Sequence, residues 1–150
     1  MNLEHKTIKL KKVIKAPIDA VYKALSSTKE KAKWSAPGTD KIKYLKSNFK
    51  NGGIETFKCG PAGSLDFSGT LHYEDIIKNK RIVYTETVFY QKNKLSSALV
   101  SIELSEKNSS TLISMTIQVA SYSGPQMLKG NEVGYKGSLN NLKQYLEETP

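Results

Sequence analysis

The side chains able to carry covalent or proton-transfer chemistry are few in this 150-residue chain: one cysteine, Cys59, and two histidines, His5 and His72. Nucleophilic catalysis needs a base beside the serine or cysteine, and neither histidine offers itself as one. His5 stands near the terminus. His72 falls in a strand-like stretch, where it either faces solvent or turns inward as a general acid or base. Cys59 closes a strand before Gly60-Pro61 and reads as a small buried hydrophobe rather than a reactive thiol. One Cys and two His cannot assemble a Cys/His metal cluster, and a lone Cys makes no intrachain disulfide. The segment from Gly124 to Gly130 lacks phosphate-loop spacing and follows no parallel-strand unit, so no nucleotide and no other cofactor is expected.

Two acids are better placed for chemistry. Glu132 lies about 40° from Leu128 on a helical wheel, inside an apolar stripe, where it needs a partner, a ligand or a route to water. Glu86 sits in a strand whose inward face the pattern leaves open, since Ile82, Tyr84 and Val88 share a side with it while Val83 and Phe89 share the other with Thr85 and Thr87. If both acids line one cavity, its ligand carries a hydrogen-bond donor or a positive charge. If one has a raised pKa, general acid catalysis becomes available.

The elements that must position these groups follow from periodicity. Residues 6–14 alternate as a strand, and Ala16-Pro17 stops it because proline lacks the N–H a ladder needs. Pro17 suits a first helical turn, Asp19 favours its positive end, and Ile18, Val21, Tyr22 and Leu25 keep helical spacing to about residue 26. Ser27 or Thr28 can cap a second short helix through Trp34, which Pro37-Gly38 ends. From Asp40 to about Val119 six strands follow, punctuated by Asn51-Gly52-Gly53, Gly60-Pro61-Ala62-Gly63, Lys78-Asn79-Lys80, Gln91-Lys92-Asn93-Lys94 and Glu106-Lys107-Asn108-Ser109. In the last two, Ala98/Val100/Ile102/Leu104 and Ile113/Met115/Ile117/Val119 alternate with polar residues, so one sheet face is buried and the other wet.

After Gly124-Pro125 the period becomes helical to about Glu148. Leu128, Tyr135, Leu139, Leu142 and Leu146 form a narrow stripe expected to pack on the sheet. Gly130, Gly134 and Gly137 gather on the other side and soften the helix, each by roughly 1 kcal/mol relative to Ala. The fold class is α+β: a curved antiparallel sheet of about seven strands, two short helices, and a long terminal helix lying across it, all in one domain spanning 1–150. A sheet curling round one helix tends to leave a void beneath it.

The charge is lopsided. Residues 1–50 hold 13 Lys and 4 acids, residues 51–100 hold 6 basic and 5 acidic residues, and residues 101–150 hold 4 and 5. Arg81 is the only arginine among 23 basic residues, which argues against specific nucleic-acid readout through guanidinium forks. Lys9, Lys11, Lys41 and Lys43 alternate with apolar residues, as a solvated face would; that basic face could also dock an acidic protein partner. No apolar run approaches a membrane span, and the N-terminus enters a strand pattern without a signal core, so a cytoplasmic protein, monomer or homodimer, is predicted.

Five motifs in this order resemble one family. Ile14 to Leu25, with Ala16-Pro17 and Tyr22, looks like its opening segment, and Trp34-Ser35-Ala36-Pro37 is similar to its Trp-x-x-Pro. Asn51-Gly52-Gly53 matches its double-glycine turn, and Gly69 followed by Arg81-Ile82-Val83-Tyr84-Thr85 matches its central hairpin. Gly134-Tyr135 with Leu139, Leu142 and Leu146 looks like its last helix, with Tyr where Trp is usual; Tyr73-Glu74-Asp75 is one residue longer than the common pattern, as a bulge would be. The family is the activator of heat-shock chaperone ATPase homologue-like branch of the START-like helix-grip superfamily. The resemblance implies a cavity between sheet and terminal helix. The reading is therefore a non-enzymatic module binding a hydrophobic, aromatic or lipid-like small molecule, with Trp34, Phe57, Phe67, Tyr84, Glu86, Met115, Glu132 and Tyr135 as ligand-binding residues. The alternatives are a chaperone-associated interaction protein and a cyclase- or hydratase-like enzyme using His72 or a perturbed carboxylate.

Overall fold

A computed structural model describes residues 3–36, 40–61 and 63–148. Strand β1 (Glu4–Ile14) is followed by two short helices, α1 (Ile18–Ser26) and α2 (Thr28–Trp34). Six strands come next: β2 (Lys41–Ser47), β3 (Ile54–Gly60), β4 (Phe67–Ile77), β5 (Arg81–Tyr90), β6 (Asn93–Lys107) and β7 (Ser110–Ser121). Helix α3 (Pro125–Glu148) is the last of the described elements. Pro37-Gly38, expected to end α2, lies outside the described residues, as does Ala62 in the β3–β4 turn.

The seven strands form one antiparallel sheet in the order β1-β7-β6-β5-β4-β3-β2. Hairpins join successive strands from β2 to β7, and β1 closes onto β7, so the first two strands of the chain occupy the two opposite edges. Their separation is what the two helices span between Ile14 and Lys41.

One face of the sheet is buried. Ile14, Val100, Ile113 and Ile117 are completely enclosed, with Val21, Ala24 and Leu25 of α1 and Leu128, Leu139 and Leu142 of α3 packed in the same core. The period-2 alternation foreseen for β6 and β7 holds residue by residue: Ala98, Val100, Ile102 and Leu104 are buried, as are Ile113, Met115, Ile117 and Val119. Ser27 caps α2, its hydroxyl accepting from the Glu30 N–H at 3.4 Å.

Two close approaches explain glycines that the sequence marks. Gly69 pairs with Phe57 across β3 and β4, and a Cβ on Gly69 would lie 2.3 Å from the Phe57 ring, so the ring lies flat over this position only because no side chain is there. In the Asn51-Gly52-Gly53 turn, Gly52 has φ +80° and Gly53 is pressed against the Asn48 carbonyl. The register shift between Tyr73 and Asp75 is a bulge, the extra residue of the Tyr73-Glu74-Asp75 segment. It keeps Tyr73 pointing inward, where its ring meets Phe49 at 4.9 Å and Tyr84 at 5.8 Å.

Candidate functional site

The facing of β5, undetermined by its pattern, is resolved by its neighbours. Ile82 is buried, and Tyr84 and Glu86 point with it into the space beneath α3, while Thr85 and Thr87 lie on the solvent side. β4 contributes Leu71 and Tyr73, β3 contributes Glu55, Phe57 and Cys59, and β2 contributes Ile42 and Tyr44, each set spaced by two as one strand face requires. Helix α2 adds Lys31 and Trp34, three residues apart and so on one side of the helix. Together with α3 they enclose a cavity of about 240 Å³.

The cavity holds two polar assemblies. In the first, Lys31 Nζ meets Glu55 Oε2 at 2.5 Å and donates to the Tyr73 hydroxyl at 3.1 Å, while the Ser47 hydroxyl donates to Glu55 Oε1 at 2.7 Å. Lys31 and Glu55 are 8% and 1% exposed, a buried ion pair. The ammonium also stands over the rings of Tyr44 and Tyr73, at 5.1 Å and 5.8 Å from their centroids. Burial lowers the Lys31 ammonium below its ordinary value, with the Glu55 charge pulling the other way.

In the second assembly the Tyr135 hydroxyl donates to Glu86 Oε1 at 2.6 Å. Burial raises the Glu86 carboxyl above the ordinary carboxylate range, against the opposing pull of the Tyr135 hydrogen bond and the Lys31 charge. Burial likewise raises the phenols of Tyr44, Tyr73, Tyr84 and Tyr135, so these groups stay protonated. The Cys59 thiol is pushed up to about 11, chiefly by burial, which makes it a poor nucleophile.

Of the residues the sequence singles out, Trp34, Phe57, Tyr84, Glu86, Met115 and Tyr135 line this cavity. Phe67 does not: it lies on the inward face of β4 but beyond the cavity's end, edge-on to Tyr90 at 5.0 Å. Glu132 does not either. It pairs with Lys6 of β1 at 2.5 Å and Lys136 at 3.5 Å, and the Lys6 hydrogen bond and charge hold its carboxyl below the usual range. The reason is the rotation of α3. Its cavity face is Gly130, Asn131, Gly134, Tyr135, Ser138, Leu139 and Leu142, which keeps three of the five stripe residues but is rolled to one side of the stripe, because the helix also rests along β1. Gly130 and Gly134, expected on the far side, therefore face the cavity, and a Cβ on either would meet nothing within 4 Å.

His72 is exposed on the outer face, opposite Leu71 and Tyr73, so it takes no part in the cavity. Lys31, Glu55, Tyr44, Tyr73 and Asn131 were not foreseen. The signals existed: Lys31 shares a helical face with Trp34, and Glu55 alternates with Phe57. The four lysines proposed as one basic face are divided, Lys9 and Lys11 on β1 and Lys41 and Lys43 on β2, at opposite edges of the sheet. Among the described residues no group of three or more His, Cys, Asp or Glu could hold a metal, and no helix is long and apolar enough to cross a membrane.

A curved antiparallel sheet gripping a terminal helix over an apolar cavity defines a helix-grip protein of the α+β class. The chain belongs to the family described as Activator of Hsp90 ATPase homolog 1-like protein, whose model matches residues 15–147. Among solved structures it is similar to an uncharacterised protein from Rhizobium leguminosarum, at 26% identity and TM-score 0.86, covering 99% of this chain and 98% of that one. The Mll3558 protein from Rhizobium loti aligns at 23% identity and TM-score 0.86, over 97% of this chain and all of that one. The CV1439 protein from Chromobacterium violaceum aligns at 22% and 0.77, over 96% and 99%. No curated protein matches the chain.

Proposed function

We propose that the protein is a binding module that takes a small, largely apolar molecule between the sheet and α3. The cavity carries this reading. Its lining is aromatic and aliphatic, and the only charged side chains among the described residues that line it are Lys31, Glu55 and Glu86. Apolar cavities of about 150 Å³ bind benzene, so a volume of about 240 Å³ suits a molecule of one or two rings. Two features support binding over turnover, His72 pointing away and the Cys59 thiol held protonated, while the raised Glu86 carboxyl is the one group that would serve the enzyme alternative. The acidic-partner alternative draws less support, because Lys9 and Lys11 stand on one edge strand and Lys41 and Lys43 on the other.

Trp34 is the only tryptophan and lines the cavity, so its emission reports occupancy directly. Titration with 2-naphthol should quench or shift that emission saturably, and Gly134→Phe, which projects a ring into open space, should abolish the effect. Native mass spectrometry of protein purified from its own source should show a co-purifying small molecule. Unchanged Trp34 emission together with a bare mass would count against the reading.

A further inference from the structure

Of Lys31, Glu55 and Glu86, the charged-type side chains lining the cavity, Glu86 alone has no ion-pair partner among the described residues. Lys31 is engaged by Glu55 at 2.5 Å, and Glu55 spends its other oxygen on the Ser47 hydroxyl. Glu86 has one hydrogen bond, from Tyr135 to Oε1, and no cation in contact among the described residues. A carboxyl so placed is costly to ionise unless a counter-charge arrives. Tyr135 faces it from α3, Lys31 from α2 and Tyr84 from its own strand, while Tyr44, Tyr73, Glu55 and Cys59 face it from β2, β4 and β3. The phenols remain neutral, and Lys31 is already paired. Tyr84 and Tyr135 line the cavity with this acid and offer electron-rich ring faces, the surroundings a desolvated cation prefers.

We propose that the cavity selects a hydrophobic amine, whose ammonium pairs with Glu86 while its apolar body lies against Trp34, Phe57 and Met115. The inference rests on the binding-module reading above and names the ligand's chemical class. Burial favours the protonated form of Glu86; an amine entering as its free base takes that proton, an ammonium pairs directly with the ionised carboxylate, and either route ends in an ammonium–carboxylate pair without net charge. Glu86 Oε2 then accepts from the ammonium while Tyr135 continues to hold Oε1.

The test uses three probes of one shape and different charge: 2-phenylethylamine, 2-phenylethanol and phenylacetate, titrated into the full chain by calorimetry with Trp34 emission in parallel. The amine should bind at least about ten-fold more tightly than the alcohol, and phenylacetate should bind weakest. Glu86→Gln should erase the amine's advantage while the alcohol still binds; Tyr135→Phe, which leaves the acid but removes its anchor, should reduce the advantage without erasing it. Circular dichroism and thermal melting establish that each variant is folded. Equal binding of amine and alcohol, tightest binding of phenylacetate, or an amine preference that survives in Glu86→Gln would overturn the inference and leave the binding module standing. Absence of binding by all three probes, with Trp34 emission unmoved, would overturn both.

Discussion

Removing either partner of the Lys31–Glu55 pair should destabilise the protein far more than removing both. At 2.5 Å and an effective dielectric constant of about 20, the mutual attraction is about 7 kcal/mol. Each ion gave up several kcal/mol of hydration to reach its buried position, so the pair is close to neutral as a whole. A single loss leaves one charge enclosed without its partner. Lys31→Met and Glu55→Gln should therefore each cost about 3–5 kcal/mol, and the double substitution should recover most of that, for a coupling of at least about 2 kcal/mol. Gln at 55 keeps an acceptor for the Ser47 hydroxyl, which limits the damage to the charge itself. Urea unfolding followed by Trp34 emission measures all four proteins, with a common slope as the check that each unfolds in one step. The exposed Lys6–Glu132 pair is the internal control and should respond weakly and mainly at low salt. Single losses below about 1 kcal/mol that simply add would show that water reaches the pair and that the cavity floor is not as dry as its geometry requires.

Three further outcomes follow from the same geometry. Gly69→Ala should cost about 1–3 kcal/mol by driving a methyl into the Phe57 ring, whereas Gly134→Ala, with nothing to meet, should raise stability by up to about 1 kcal/mol in thermal melts. Glu86 binds its proton more tightly folded than unfolded, so its contribution is complete below the ordinary carboxylate range and lost as pH rises through the folded value; relative to Glu86→Gln, the wild-type urea midpoint should fall over that rise. Cys59, raised from 9.0 to about 11, should carry about 100-fold less thiolate than a free cysteine at neutral pH, so alkylation by iodoacetamide should be correspondingly slow until urea unfolds the chain.

The order and kind of the elements were legible because the signals were local. Turn residues separate the strands, and Ala98 to Leu104 of β6 and Ile113 to Val119 of β7 bury every second residue. The α3 stripe told where a helix runs but not how it rolls: Leu128 and Leu139 are as buried as expected, yet the faces either side of them are chosen by β1 and by the cavity. That roll moves Glu132 out to Lys6 and brings Gly130 and Gly134 in. β5 was ambiguous because its inward face carries Glu86, a residue that only a distant phenol, 49 positions along, makes tolerable there. Lys31 was missed for the same reason, since its partner is 24 positions away.

The placing of β1 and β2 at the two margins of the sheet gives the lopsided charge a different meaning. An open sheet ends in unpaired N–H and C=O groups that can recruit another chain's strand, and lysines along such margins discourage that approach by repulsion. β1 carries Lys6, Lys9, Lys11 and Lys12, and β2 carries Lys41, Lys43 and Lys46 with a bulge between Tyr44 and Lys46 that further spoils pairing. Both margins are drawn from the first third of the chain, so the positive excess collects there. Edge lysines of this kind are a common defence against strand-to-strand association, a role for the basic excess that needs no acidic partner.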